Sequence, residues 1–418
     1  MLDENGIIKK SKDARREYGQ AKANEQEDLS NLSDMIEEAT GKVTLAKVPV
    51  GTKASKNGTI NGEEGNSNNP TIPKNYIPID TATSTWGDGS TAPSQDSVKH
   101  GLVIKDEKNN EWVWVPVDSA TLATMYEESS DEKTLCGTTG ETAVKTKLYS
   151  KSEIISGKTR TTPGTSTLGS FREPDLVVGS DGASDDAKDT YYKTILGDTG
   201  TKEQLAQLFV DEYKEMIESV SKYGGFYIGR YELSEAGVQK DKATLTNTNW
   251  YNLYKKCKEL NASDKVETRM IWGCQWDVTM NWLISSGAKT SNEVNTDSSS
   301  WGNYKETSVK ADDGKTELKA SGTKEKLNTG KTTFTMANNI YDLAGNVWEW
   351  TQEADDTNYR AGRGGNWSSF GSSFPASGRS NGGPVGGGYG YLRFSSHFNN
   401  KVALNSRAWA PVWRIIIK

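Results

Sequence analysis

The chain of 418 residues is poor in the residue types that build many reactive or cross-linked sites. Its two histidines, His100 and His397, lie far apart in sequence, so neither a histidine-rich metal site nor a histidine-centred catalytic triad is expected. Its three cysteines, Cys136, Cys257 and Cys274, are odd in number and form no CxxC pair. This cysteine usage excludes a disulfide scaffold.

Long apolar runs and a secretory signal peptide are also absent, so the sequence predicts no membrane-spanning segment of its own. The net charge of -6 argues against a nucleic-acid partner. No acidic residue follows Asp356, which leaves six Arg and two Lys uncompensated in residues 357–418. That imbalance predicts a locally positive C-terminal face and favours an acidic partner.

Composition divides the chain into three parts. Residues 1–42 predict a charged helix with a narrow apolar stripe, suited to one partner helix. Residues 43–110 are linker-like and contain two short edge strands, near 76–79 and 102–104. Residues 111–418 read as the globular domain, with a Gly- and Ser-rich segment at about 364–407 ahead of an apolar strand at 411–418. A segment held in this way between ordered elements predicts a long surface loop, where binding functions concentrate.

Within the globular part, hydrophobic spacing predicts the main elements. Alternation of β-rich residues favours strands at 111–117 and 226–232. Apolar residues at i, i+3 and i+4 favour helices at 202–222, 248–260 and 274–286.

The most specific string is DLAGNVWEWT at residues 342–351, and three other pieces accompany it in order: WVWVP at 112–116, FYIGRYE at 226–232, and RAGRGGNW at 360–367 followed by Arg379. Together they resemble the formylglycine-generating enzyme (sulfatase-modifying factor) family. The resemblance implies an α+β, C-type-lectin-like fold over residues 111–418, with a small antiparallel sheet, two helices and long irregular loops. The terminal Arg of that family matches either Arg393 or Arg414.

The signature string also suggests a metal site. The carboxylates of Asp342 and Glu349 are hard oxygen ligands that suit calcium. The resemblance implies a structural calcium held by Asp342, Glu349 and the carbonyls of Gly345 and Val347. The alternative is that both acids cap turns and pair with arginines.

The oxidase activity of that family is not expected in this chain. It needs two cysteines five residues apart, and Ser369 and Phe374 stand at the matching positions. Without two thiolates the copper(I) site cannot form. The sulfoxide-synthase relatives use a histidine-based iron site, which the two distant histidines do not support. The chain is therefore predicted not to be an enzyme.

Residues 365–379 resemble instead the variable segments of proteins diversified by retroelements, in which the lectin-like scaffold stays fixed while surface side chains vary. The alternative is an ordinary Gly/Ser loop. Aromatic anchors among small polar residues resemble antibody loops. The predicted ligand-binding residues are Trp367, Ser368, Ser369, Ser373, Phe374, Gly378, Ser380, Asn381, Gly382, Gly383, Tyr389 and Tyr391.

The string ENGIIKK at residues 4–10 resembles the segment after the membrane helix of type IV pilin-like proteins of Gram-positive bacteria. The resemblance implies pilin-like partner subunits, display on the bacterial surface, and anchoring only through a segment not present in this chain. The expected function is thus a displayed, retroelement-diversified receptor or adhesin for an unknown protein or surface ligand. An invariant minor pilin or adhesin is the main alternative, and a formylglycine-generating-type oxidase is the other.

Overall fold

The computed structural model describes part of the chain. The described residues are 45–47, 67, 70–73, 76–80, 85–86, 98, 100–125, 133–139, 142–148, 170–173, 193–246, 248–260, 266–354, 360–382, 404–406 and 408–410. The predicted helix at 1–42 and the predicted strand at 411–418 lie outside these residues.

Helices and sheets are mixed along the chain. The strands are β1 Leu45–Lys47, β2 Thr71–Pro73, β3 Ile77–Asp80, β4 Thr85–Trp86, β5 Val103–Lys105, β6 Glu111–Pro116, β7 Lys133–Thr139, β8 Thr142–Leu148, β9 Ser170–Glu173, β10 Gly225–Gly229, β11 Arg269–Met270, β12 Val309–Lys310, β13 Glu317–Lys319, β14 Met336–Ala337, β15 Ile340–Tyr341, β16 Trp348–Ala354, β17 Arg360–Arg363, β18 Arg379–Gly382, β19 Leu404–Ser406 and β20 Ala408–Ala410. The helices are α1 Ser119–Leu122, α2 Lys193–Leu196, α3 Lys202–Tyr223, α4 Trp250–Glu259, α5 Gly273–Ser285 and α6 Ser291–Asn295, with a 3₁₀ turn at Thr333–Thr335.

One sheet is antiparallel throughout, in the order β11-β20-β10-β6-β5-β3-β4. The predicted strands at 111–117 and 226–232 are confirmed as β6 and β10, which pair from Gly225 opposite Pro116 to Gly229 opposite Trp112. The strand predicted near 102–104 also forms, as β5, but it pairs with β6 on one side and β3 on the other. The prediction of an edge position was therefore wrong for β5 and also for the strand near 76–79, since β3 pairs with both β4 and β5. The domain boundary at residue 110 remains a prediction.

The second sheet has the order β18-β17-β16-β9-β8-β7, with β19 beside β16. Most of its pairings are antiparallel, while β8 with β9 and β16 with β19 are parallel. The signature string leads directly into β16, and the RAGR piece forms β17. The second sheet thus carries the residues on which the functional prediction rests.

Three predicted helices are confirmed as α3, α4 and α5. Thr201 caps α3 with a reciprocal bond to Gln204, and Gly224 ends it in the left-handed region at φ 71°. Helix α5 contacts both β6 and β16, so it lies between the two sheets. Because it packs on more than one side, most of its residues are buried, including the polar Gln275 and Asp277.

The core is rich in tryptophan. The buried ones are Trp112, Trp114, Trp250, Trp272, Trp276, Trp282, Trp301, Trp348 and Trp350. Among the tryptophans whose burial the structure describes, Trp367 alone is partly exposed. In the described part of the chain, no helix combines the length and apolar character needed to cross a membrane.

Candidate ligand-binding loop

The signature string folds as a tight turn that feeds β16. Gly345 and Asn346 are consecutive residues in the left-handed region, with φ of 73° and 52°. A side chain on Gly345 would collide with the backbone of Asn303, whose carbonyl oxygen would lie 2.4 Å from its Cβ. Glycine is therefore required at 345 both by conformation and by close approach.

Asn346 joins the signature to the FYIGRYE strand. Its side-chain nitrogen donates to Oε2 of the buried Glu232 at 2.7 Å. Its side-chain oxygen accepts from Nδ2 of Asn303 and from the backbone N–H of Leu327, both at 3.0 Å. Glu232 also accepts from Thr244 Oγ1 at 2.6 Å and from the Val347 N–H at 3.2 Å. These two motif residues thus share one buried hydrogen-bond network, which is a structural role.

The four residues predicted to hold calcium take different positions around this turn. The Asp342 carboxylate accepts from Thr329 Oγ1 at 2.9 Å and from the Gly330 N–H at 2.8 Å. The Val347 N–H points to Glu232, and the Gly345 N–H donates to the Gly364 carbonyl at 2.7 Å. Asp342 therefore fastens the 329–330 turn, which agrees with the turn-capping alternative for that residue.

Glu349 is fully buried on the other side of the turn. A Cβ added at Gly364 would lie 2.7 Å from Glu349 Oε2 and 2.9 Å from the Leu343 carbonyl oxygen. The Gly364 backbone therefore lies so close to these two oxygens that only glycine fits at this position. Among the described residues, no three or more His, Cys, Asp or Glu side chains are grouped to hold a metal ion. A cation at this position would have to take most of its ligands from the backbone.

A buried ring of four charges forms the base of the loop that follows. Arg363 bonds to Asp277 and, at 3.1 Å, to Glu353, while Arg379 bonds to Asp277 and, at 2.7 Å, to Glu353. All four side chains are 0–3% exposed. Arg363 and Arg379 are cross-strand partners in β17 and β18, so the two carboxylates separate like charges that would otherwise repel. We call these four residues the charge ring.

The two carboxyl groups of the ring differ, because burial prevails at Asp277 and raises its pKa, whereas charge compensation prevails at Glu353. Burial alone would raise the pKa of the Glu353 carboxyl. The guanidinium groups of Arg379 and Arg363 outweigh burial and hold that pKa below its ordinary value. Glu353 is thus ionised at neutral pH, as a balanced ring requires.

The ring changes the interpretation of the basic C-terminal segment. Arg360, Arg363 and Arg379 are the basic residues of 357–418 that the structure describes, and all three are buried. Arg360 lies over the ring of Trp250 at 4.4 Å rather than facing solvent. These three residues therefore add no charge to the surface, and the expectation of a positive face rests on basic residues outside the described part.

The loop between the two ring arginines, residues 364–378, is closed a second time near its base. Oη of the buried Tyr304 lies 2.7 Å from the Gly364 carbonyl oxygen and 2.9 Å from the Phe374 carbonyl oxygen, so one hydroxyl proton serves both. Gly365 passes so close to Tyr304 that a Cβ would lie 2.7 Å from its ring. The far end is fixed by Trp276, whose indole N–H donates to the Ala376 carbonyl at 3.0 Å.

Asn366 organises the start of the loop. Its buried side-chain oxygen accepts from the Ser368 N–H and Ser368 Oγ, both at 3.0 Å, and from Ser369 Oγ at 2.8 Å. The Trp367 N–H donates to the Asn346 carbonyl at 3.0 Å, which ties the loop to the signature turn. Two predicted binding residues, Ser368 and Ser369, therefore orient their hydroxyl protons toward Asn366, while their side chains stay partly exposed.

The aromatic residues of the loop differ in exposure. Phe370 is 45% exposed and is the exposed large apolar side chain of the described residues. Phe374 instead packs edge-on against the buried Trp348, with ring centroids 5.1 Å apart. The sequence predicted Phe374 as a binding residue and missed Phe370. Each phenylalanine follows two serines, so no sequence signal separates the two.

Most of the other predicted binding residues are buried or lie outside the described residues. Gly378, Ser380 and Gly382 are buried, and a Cβ at Gly382 would lie 2.6 Å from the Trp350 ring. Such positions offer no side-chain surface to a ligand. Asn381 lies in β18, opposite Ala361. Gly383, Tyr389 and Tyr391 lie outside the described residues. Ser373 is exposed and joins Trp367, Ser368, Ser369 and Phe370 at the accessible face.

No family model matches this chain, and no curated protein does. Among solved structures, the chain is similar to Treponema denticola variable protein 1, with 15% sequence identity and a TM-score of 0.26. That similarity covers 45% of this chain and 85% of the other.

Proposed function

We propose that this protein is a non-catalytic ligand-binding protein whose segment 364–407 is diversified by a retroelement on a C-type-lectin-like scaffold of the formylglycine-generating type. The observation that carries the proposal is the contrast within residues 364–378. Both ends are held by buried groups, while Trp367–Phe370, Ser372 and Ser373 are wholly or partly exposed. A scaffold that does not depend on its exposed side chains can tolerate their replacement.

Sequencing the 3′ end of the gene across a population of the source organism tests this proposal. Substitutions are expected at codons 367–370, 372 and 373 and at codons beyond 382. Constant codons are expected for Gly364, Gly365, Asn366, Gly371 and Arg379. A side chain at any of the three glycines would collide with neighbouring atoms, and the side chains of Asn366 and Arg379 make bonds that hold the loop. If the whole segment is as constant as the rest of the gene, the diversification proposal fails and a fixed adhesin replaces it.

The non-catalytic part of the proposal is supported by Ser369 and Phe374, which stand where the oxidase family needs cysteines. The described cysteine side chains, Cys257 and Cys274, are buried in two different helices. Display on a Gram-positive surface through a pilin-like helix at 1–42, with pilin-like partner subunits, belongs to the same proposal. Its support is the ENGIIKK string.

A structural calcium at the signature turn is also proposed, in a modified form. Glu349 is fully buried beside the signature turn and stays a candidate ligand together with the Gly345 and Val347 carbonyls. Asp342 is engaged with Thr329 and Gly330 and leaves the set. Calcium added to chelator-treated protein should raise the melting temperature, and Glu349→Gln should abolish that rise. An unchanged melting temperature in the unsubstituted protein would contradict the site.

A further inference from the structure

A second segment, residues 297–307, contacts the exposed loop. The Gly371 N–H donates to Glu306 Oε1 at 2.7 Å, and the Lys305 N–H donates to the Ser369 carbonyl at 2.9 Å. At Gly371 a Cβ would lie 2.5 Å from the Ser299 nitrogen, so the two backbones touch. The accessible face is therefore built from both segments, and 297–307 lies outside the predicted diversified range.

Lys305 brings a charge to this face. Its ammonium lies 4.9 Å from the ring centroid of Phe370, the exposed aromatic of the loop. This is a cation–π geometry at a solvent-exposed ring. An ammonium held beside an exposed aromatic ring leaves its other donors free to meet a partner.

The other charged groups near Lys305 form hydrogen bonds within the protein. Glu306 Oε1 receives the Gly371 N–H, and Asp297 Oδ1 receives the Ser299 N–H at 2.9 Å. The buried Lys319 directs its ammonium to the Tyr304 and Thr307 carbonyls, at 2.5 and 2.7 Å. Lys305 is thus the charged group that this segment places against the exposed ring.

We infer that Lys305 and Phe370 together form a recognition site for an acidic peptide segment of a protein partner, in which a carboxylate meets the Lys305 ammonium and an adjoining apolar side chain lies on the Phe370 ring. The inference rests on the proposed function and adds to it a charged residue that diversification does not change. Because Lys305 lies outside 364–407, every diversified version of the protein would retain this charge. Diversification would then vary affinity within a class of acidic partners.

Selection from a phage library of random linear peptides on the immobilised full chain tests the inference. Selected peptides should be enriched in Asp and Glu relative to the unselected library, and their binding should weaken at high salt. Lys305→Ala should reduce their affinity by about tenfold, the loss expected for one hydrogen bond to a charged group. Phe370→Ser should reduce it as well, and Lys305→Arg should restore most of it.

Lys255→Ala, an exposed lysine on α4 paired with Glu259, is the matched control and should leave binding unchanged. Peptides without acidic enrichment, equal binding to the Lys305→Ala variant, or no selected peptides at all would overturn the inference. Peptides that need Phe370 but not Lys305 would overturn it while leaving the ligand-binding proposal intact. The gene sequencing described above is read without any ligand, so the two failures are distinguishable.

Discussion

Replacing Arg363 by Met is expected to lower the free energy of unfolding by about 3–5 kcal/mol, because it leaves two buried carboxylates facing one guanidinium. Urea unfolding at neutral pH measures the change. The pKa of Glu353 lies below its ordinary value, so the stability contributed by its charge is fully present above the unfolded-state pKa. That contribution is lost as the pH falls through the folded-state pKa.

The matched control removes a cation from an exposed pair of similar length. Lys256 bonds to Glu235 at 2.7 Å, with side chains 41% and 72% exposed. Lys256→Met is therefore expected to cost less than about 1 kcal/mol. Adding Asp277→Asn to Arg363→Met removes one charge of each sign and should recover part of the loss. Equal stabilities for Arg363→Met and Lys256→Met would show that the ring does not hold the loop base.

The second large effect is expected at Asn346, where replacement by Ala should cost about 3–4 kcal/mol. The substitution removes the donor to Glu232 and the acceptor of two N–H groups, in two buried bonds and one partly buried bond from Leu327. Unsatisfied buried groups cost about 1–3 kcal/mol. Alanine at φ 52° adds about 1–2 kcal/mol of backbone strain. Thermal or urea unfolding measures the sum.

Two further variants separate these contributions. Asn109 is exposed and has φ 66°, so Asn109→Ala should show the backbone strain alone, about 1 kcal/mol. Asn346→Gly relieves the strain and should retain the loss of hydrogen bonds. If Asn346→Ala costs no more than Asn109→Ala, the network with Glu232 contributes nothing to stability.

Local patterns in the sequence were sufficient for the main elements. Helix α3 follows from apolar residues spaced along one buried face, and strand β6 follows from a short run of β-rich residues whose four inner positions are all buried. The signature string was identified as the most specific pattern in the sequence. Its chemistry was harder to predict, because a carboxylate at Asp342 suits either a cation or a turn, and only the position of Thr329 and Gly330 shows the second use.

Long-range pairing could not be predicted. Arg363 and Arg379 lie 86 and 102 residues from Asp277 along the chain, and no sequence pattern links such positions. The C-terminal arginines were therefore expected at the surface. The same limitation applies to Phe370 and Phe374, whose exposure depends on which of them reaches Trp348.

The Tyr304 hydroxyl has a consequence for the length of the loop as well as for its composition. It fixes the Gly364 and Phe374 carbonyls to one point, so the ends of the intervening turn stay together when the exposed residues between them change. Extra residues inserted between 367 and 373 would enlarge a loop whose closure is already built into the core. Doubling the length of a flexible loop costs only about 0.6 kcal/mol. Insertions and deletions could therefore supply a second source of variety at this surface, independent of substitution.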